Sequence, residues 1–268
     1  ADVFVTNGLD SPVLPTARIF LFHNNGDGSF TDVTTAVGMA DTRNGYACAW
    51  SDYDNDGDPD LYVANHGFED PVLGFSDRQP SALYKNQLRE TGQATFADVA
   101  RAAQVDNMTE VFPGEPGGSS AVGCAWGDFN NDGFMDLFIT NGFGGVVPYP
   151  TPNRLYKNNG DGTFADLSTT VVDPQFAASS YGCTWGDWDN DGNLDLFVTN
   201  ASVPLLGSAN NSVLMNSGFP FHLLTNLSTG SGADSSEWAT SCASGDFNQD
   251  GWLDIYESNG IPGWEVLV

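Results

Sequence analysis

Short apolar and alternating runs follow one another along the whole chain, each bounded by acidic, amide or glycine-rich stretches. Within residues 121–168 they read AVGCAWGDF, DLFITNG, RLYKNN and TFADLS. The last two flank a turn rich in glycine, which is a hairpin signal. Helical periodicity is nearly absent. The segment predicts four short strands and no helix.

The same pattern recurs. YACAWSDYDNDGDPDLYVANHG starts at Tyr46, YGCTWGDWDNDGNLDLFVTNA at Tyr181 and TSCASGDFNQDGWLDIYESNG at Thr240. With the copy at 123–142, their leading acids are Asp52, Asp128, Asp187 and Asp246, spaced by 76, 59 and 59 residues. A hairpin motif lies between copies, as in ARIFLFHNNGDGSFTDVT from Ala17 and NRLYKNNGDGTFADLS from Asn153, with looser versions from Ala82 and Ser212. Four strands in a repeat of this length predict an all-β chain, and a β-propeller of four-stranded blades better than a sandwich. The expected divisions of one propeller domain are a partial blade at 1–44 (strands two to four), whole blades at 45–116, 117–177 and 178–236, and a partial blade at 237–268 (strands one and two).

Both partial blades contain a second strand, because ADVFVTNG at the start aligns with MDLFITNG at 135–142 and LDIYESNG stands near the end. Joining the ends would not give a tidy ring, so the expectation is a fragment of a larger propeller. The alternative is irregular closure through PGWEVLV at 262–268.

Each copy obeys Asp-x-(Asp or Asn)-x-Asp-Gly-x-x-Asp. Acids at positions 1, 3 and 5 converge when such a loop curls, the glycine at position 6 permits the sharp turn, position 7 can add a backbone carbonyl, and position 9 closes the shell. Oxygen-only ligands with several carboxylates suit Ca²⁺; zinc would want Cys or His, and Mg²⁺ usually keeps several waters. No EF-hand is implied, because position 9 is the last acid and strands, not helices, flank the loop. The candidate ligands are Asp52, Asp54, Asp56, Asp58 (at position 7) and Asp60; Asp128, Asn130, Asp132 and Asp136; Asp187, Asp189, Asp191 and Asp195; Asp246, Asn248, Asp250 and Asp254. Asp2 aligns with position 9 of a further loop. Four ions are expected, one per complete loop. Without a cation, carboxylates about 4 Å apart repel by roughly 4 kcal/mol at intermediate dielectric.

Charge sharpens this reading. The formal net charge is −27, from 35 acidic and 8 basic residues, and 28 of the acids are Asp against 7 Glu. Short acids in such excess belong in turns and ligand loops. Phosphate backbones would be repelled, so nucleic acid is not an expected partner. No apolar run approaches the length of a membrane span, so membrane insertion is not expected.

The repeats resemble the FG-GAP/VCBS family: YGCTWGDWDNDGNLDLFVTN is similar to its Gly-Asp-x-(Asn/Asp)-x-Asp-Gly-x-x-Asp-Leu core, and NRLYKNNGDGTFADLS is similar to bacterial VCBS-type proteins and the cartilage-acidic-protein group. The resemblance implies a propeller, often seven-bladed and built like the integrin alpha-subunit head. It also implies one Ca²⁺ loop between the first and second strands of each blade. Asn at position 3 in two copies removes one charge from those sites.

Other features read more plainly. Cys48, Cys124, Cys183 and Cys242 share one repeat position and are expected as core thiols rather than a disulfide scaffold. Asn7, Asn65, Asn141, Asn200 and Asn259 each end a second strand, which suggests a structural turn or edge hydrogen bond. Sequons mark Asn107, Asn210 and Asn226 as glycan candidates. Loops at 68–82, 143–153 and 202–211, and an insertion at 109–118, vary most and are candidate recognition elements. No nucleophile elbow, phosphate loop or dinucleotide fingerprint is present in the sequence. The function expected is that of a non-enzymatic, extracellular or cell-surface, calcium-stabilised module binding protein or glycan. Two alternatives remain: a polysaccharide-acting enzyme, and a structural subunit assembling with its own copies or a surface filament.

Overall fold

A computed structural model describes residues 1–7, 18–70, 75–77, 79–108, 120–142, 152–171, 179–201, 210–233 and 239–259. The described structure is all-β but for two four-residue helices. Three four-stranded antiparallel sheets follow one another. The first uses β4 (Gly45–Ser51), β5 (Asp60–Asn65), β8 (Ala82–Asn86) and β9 (Phe96–Asp98). The second uses β10 (Ala121–Gly127), β11 (Asp136–Asn141), β12 (Arg154–Asn158) and β13 (Phe164–Asp166). The third uses β14 (Ser179–Gly186), β15 (Asp195–Ala201), β16 (Ser212–Asn216) and β17 (Leu224–Asn226). They are preceded by a three-stranded sheet of β1 (Val3–Val5), β2 (Phe20–Asn24) and β3 (Phe30–Asp32), and followed by the pair β18 (Ala239–Gly245) and β19 (Asp254–Asn259).

Register is the same in each repeat. Gly127 pairs with Asp136, Gly186 with Asp195 and Gly245 with Asp254, so every acidic loop springs from the end of one hairpin-linked strand pair. The first strand of each sheet lies beside that of the next, β4 by β10, β10 by β14 and β14 by β18. The approach is close: a Cβ on Gly123 would lie 2.1 Å from the Tyr181 carbonyl oxygen, so no larger side chain fits there.

The core sits between sheets. Second-strand residues Leu61, Tyr62, Val63, Leu137, Phe138, Ile139, Leu196, Phe197 and Val198 are all fully buried, which explains why these strands read as continuous apolar runs. An aromatic ladder joins the sheets: Tyr53 stacks on Trp126 at 6.2 Å and Phe129 on Trp185 at 6.3 Å. Each tryptophan also donates to the preceding sheet, Trp126 Nε1 to the Ala49 carbonyl and Trp185 Nε1 to that of Ala125. Such pairs are worth about 0.5–1.5 kcal/mol beyond the area they bury. Cys48, Cys124 and Cys183 pack against these cores, all four cysteines are free thiols, and burial pushes each thiol up, Cys242 to about 12.

Three elements differ from the sequence expectation. The stretch at 68–82, read as a variable loop, contains the hairpin β6 (Phe68–Asp70) and β7 (Phe75–Asp77). A helical turn, α1 (Leu88–Thr91), replaces the glycine-rich turn between β8 and β9, and α2 (Ala100–Ala103) follows β9. The loops at 109–118 and 202–209, most of 143–153, and the terminal PGWEVLV lie outside the described residues.

Candidate metal centre

Each acidic loop is shaped by its own carboxylates. At position 1 an Oδ2 accepts from the backbone N–H of the position-6 glycine: Asp52 from Gly57 at 3.0 Å, Asp128 from Gly133 at 2.8 Å, Asp187 from Gly192 and Asp246 from Gly251, both at 2.9 Å. At position 5 an Oδ1 accepts from the N–H of position 7 in all four loops. The glycines have φ between +86° and +92° (Gly57, Gly133, Gly192 and Gly251), a hand that other residues adopt only with strain.

Position 9 is the buried anchor. Asp60, Asp136 and Asp195 are fully buried. Their Oδ2 atoms accept from the position-2 N–H of Tyr53, Phe129 and Trp188, and their Oδ1 atoms from the N–H of Asn86, Asn158 and Asn216, the last residue of each third strand. Asp2 holds the same place against Asn24, at 2.8 Å. Burial, reinforced by neighbouring carboxylates, raises Asp60 and Asp136 to about 7 and Asp195 to about 6, although the backbone donors pull the other way.

Two loops bring three carboxylates within ligand distance of one another. Oxygens of Asp52, Asp54 and Asp60 lie within 4.8 Å, as do those of Asp187, Asp189 and Asp195. In the first of these, Asp52 Oδ1, Asp54 Oδ1 and Asp56 Oδ2 are buried without a hydrogen-bond donor among the described residues. A hard divalent cation would satisfy both the converging carboxylates and the buried oxygens that lack a donor, and the residues therefore fit such an ion. In the two loops with an amide at position 3, Asn130 and Asn248 supply side-chain oxygens that accept the N–H of Asp132 and Asp250. Asp54, Asp56 and Glu90 form a further group, with Glu90 delivered by α1.

Cations of the chain itself touch these loops. Lys85 Nζ lies 2.5 Å from Asp54 Oδ2, 2.6 Å from Glu90 Oε1 and 3.7 Å from Asp56 Oδ2. Lys157 Nζ lies 2.7 Å from Asp132 Oδ2. Asp58 stands apart from the ligand cluster: its carboxylate accepts from the Arg89 backbone at 2.7 Å and pairs with the Arg89 guanidinium at 3.3 Å.

Two further residues per repeat join neighbouring loops, and the sequence reading passed over both. Position 4, written as any residue, is Asn55, Asn131, Asn190 and Gln249, all with φ between +57° and +60°. Its amide reaches the next loop's glycine carbonyl: Asn55 to Gly133, Asn131 to Gly192 and Asn190 to Gly251, at 3.0, 3.1 and 3.2 Å. In the other direction, Asn158 Nδ2 donates to the Tyr53 carbonyl and Asn216 Nδ2 to that of Phe129, each at 2.7 Å. The recurrence of an amide at both positions was the available signal.

The remaining candidates are placed as follows. Asn7, Asn65, Asn141 and Asn200 donate side-chain N–H groups to the backbone carbonyls of Arg18, Pro80, Pro152 and Asn210, closing the second-to-third-strand connections. Among the sequons, Asn210 and Asn226 are exposed. Asn107 is a correction: it is 2% exposed and its Nδ2 donates to Asn141 Oδ1, so the atom a glycan would need is enclosed.

Compared with known proteins, the chain matches the FG-GAP-like repeat model over residues 1–63 and 128–198, half its length. It is 30% identical over 188 residues to cartilage acidic protein 1 of Homo sapiens, covering 67% of this chain and 24% of that protein. It is 29% identical over 187 residues to the Xenopus tropicalis protein, covering 67% and 24%, and 28% identical over 196 residues to that of Mus musculus, covering 70% and 26%. The chain thus spans about a quarter of the length of the curated relatives it matches.

Proposed function

The chain belongs to the FG-GAP-like repeat family, and from that premise we propose that it is part of a calcium-stabilised β-propeller that works outside the cell as a binding module for protein or glycan. The observation that carries this reading is the loop at 52–60, where Asp52, Asp54 and Asp60 converge and buried oxygens of Asp52, Asp54 and Asp56 have no donor among the described residues. A bound calcium ion would supply the positive charge that lets these acids stay ionised and close together. Asp52, Asp54, Asp56 and Asp60 would hold it in the first complete loop; Asp187, Asp189, Asp191 and Asp195 in the third. The three carboxylates and one amide of Asp128, Asn130, Asp132 and Asp136, and of Asp246, Asn248, Asp250 and Asp254, would hold it less tightly.

Chain architecture supports the propeller: sheets of one design pack side by side through their first strands, in sequence order. An extracellular setting fits loops of this kind. Millimolar extracellular calcium fills loops of modest affinity, which cytosolic calcium would leave unfilled. No helix of the described residues is long and apolar enough to cross a membrane.

Calorimetry tests the calcium premise. Each site filled at about a hundredfold excess over its Kd stabilises by about 2.7 kcal/mol. Two or more such sites should separate the melting temperatures in calcium and in EDTA by about 10 °C or more for a chain of this size. Coincident melts would overturn the reading. Glycan arrays and pull-downs with the calcium-loaded chain should retain a ligand; turnover of a polysaccharide would replace the binding module with an enzyme.

A further inference from the structure

We propose that the residue just before the third-strand asparagine sets the calcium affinity of each loop, acting as a tethered competing cation in two loops and as an uncharged side chain in another. The proposal rests on the calcium reading above. The residue is Lys85, Lys157 and Met215 in the three complete sheets, and the register is common: Lys85 pairs with Ala97, Lys157 with Ala165 and Met215 with Thr225. At this strand position the two lysines reach their own loops at neighbouring acids, Lys85 at the position-3 Asp54 and Lys157 at the position-5 Asp132.

What it presents there differs. Lys85 and Lys157 place an ammonium within hydrogen-bond distance of Asp54 and Asp132, which are prospective calcium ligands. Met215 brings no charge to the loop at 187–195, whose four motif acids are all aspartates. An ammonium held by its own backbone relieves the repulsion among clustered carboxylates when calcium is scarce. It then repels an arriving divalent ion and competes with it for the same carboxylates. A lysine at this position thus stabilises the calcium-free fold and weakens calcium binding together.

The two lysines are not equal. Glu90, brought by α1, also holds the Lys85 ammonium and offsets its charge. Lys157 contacts Asp132 and the Asn158 carbonyl, and its loop already has Asn130 in place of an acid. The order of affinity follows: 187–195 binds most tightly, 52–60 next, and 128–136 least.

Calcium titration calorimetry on the EDTA-stripped chain tests this, with melts recorded in EDTA and in millimolar calcium. Lys85→Met should tighten one site by about tenfold, lower the melt in EDTA and enlarge the rise that calcium produces. Met215→Lys should weaken the tightest site by about tenfold without lowering the melt in EDTA. A lysine that merely supports the fold would lower both melts alike, and that result for Lys85→Met would overturn the proposal. So would unchanged affinity in Met215→Lys while the unaltered chain binds calcium. An unaltered chain that takes up no calcium at all overturns the calcium reading and this proposal together.

Discussion

At the scale of the residue, Asp136 and its counterparts Asp60 and Asp195 carry two roles that conflict electrostatically. Each pins two backbone N–H groups inside the sheet, and each faces other acids of its loop. Burial therefore holds Asp60 and Asp136 up to about 7 and Asp195 up to about 6, against about 3.9 in an unfolded chain. Between these limits the folded chain keeps protons that the unfolded chain has released, so its stability falls as pH rises and levels off above about 7. Asp41 and Asp132, held below the usual carboxylate range despite burial by bonds to Arg43 and Lys157, act in the opposite sense but only near and below about pH 4. The window from pH 5 to 7.5 lies above the range in which Asp41 and Asp132 act and spans that of the raised aspartates. In EDTA the chain should melt higher at pH 5 than at pH 7.5, and calcium, which must displace these protons, should raise the melt more at pH 7.5. An EDTA melt that climbs across this window would show that the anchors are ionised throughout.

At the scale of the element, the loops are fastened to each other rather than merely repeated. A third-strand asparagine reaches back to the preceding loop, and a position-4 asparagine reaches forward to the next. The backward bond is buried, and Asn158 Nδ2 serves the Tyr53 and Met135 carbonyls at once. Removing it leaves carbonyls without a donor, so Asn158→Ala should cost about 2–4 kcal/mol in urea denaturation. The forward bond is exposed, and glycine tolerates the +57° φ of Asn131, so Asn131→Gly should cost no more than about 1 kcal/mol. Equal losses would show that the backward bond is not the principal tie. These ties were only partly legible in the sequence. Positions 1, 3, 5, 6 and 9 declared themselves because acids and glycine at fixed spacing have few other uses. Asn131 stood at a position written as any residue and Asn158 beside a glycine-rich turn, where an amide has a local explanation, and their partners are 61 and 105 residues away. The strands were plain from their runs, whereas α1, α2 and the β6–β7 hairpin are too short to impose a period. Asp58 counted as one more acid of its loop until Arg89, 31 residues on, was seen to hold it.

At the scale of the whole molecule, positive charge is scarce and carefully placed. Of 8 basic residues, Arg43, Lys85, Arg89, Arg154 and Lys157 are each paired with an acid. None of them neutralises the surface at large, and four divalent ions would bring −27 only to −19. Calcium would thus correct charge where acids are crowded, while the remaining excess repels over longer distances. The two effects separate by salt. Raising sodium chloride from about 0.05 to 0.5 M shortens the screening length from roughly 14 to 4 Å, enough to damp repulsion between surface acids but not between buried oxygens in contact. The melt in EDTA should therefore rise with salt, yet remain below the melt in calcium at low salt. If sodium chloride alone restored the calcium-bound melting temperature, the loops would be ordinary acidic turns relieved by screening, and a specific divalent ion would not be needed to hold the sheets in place.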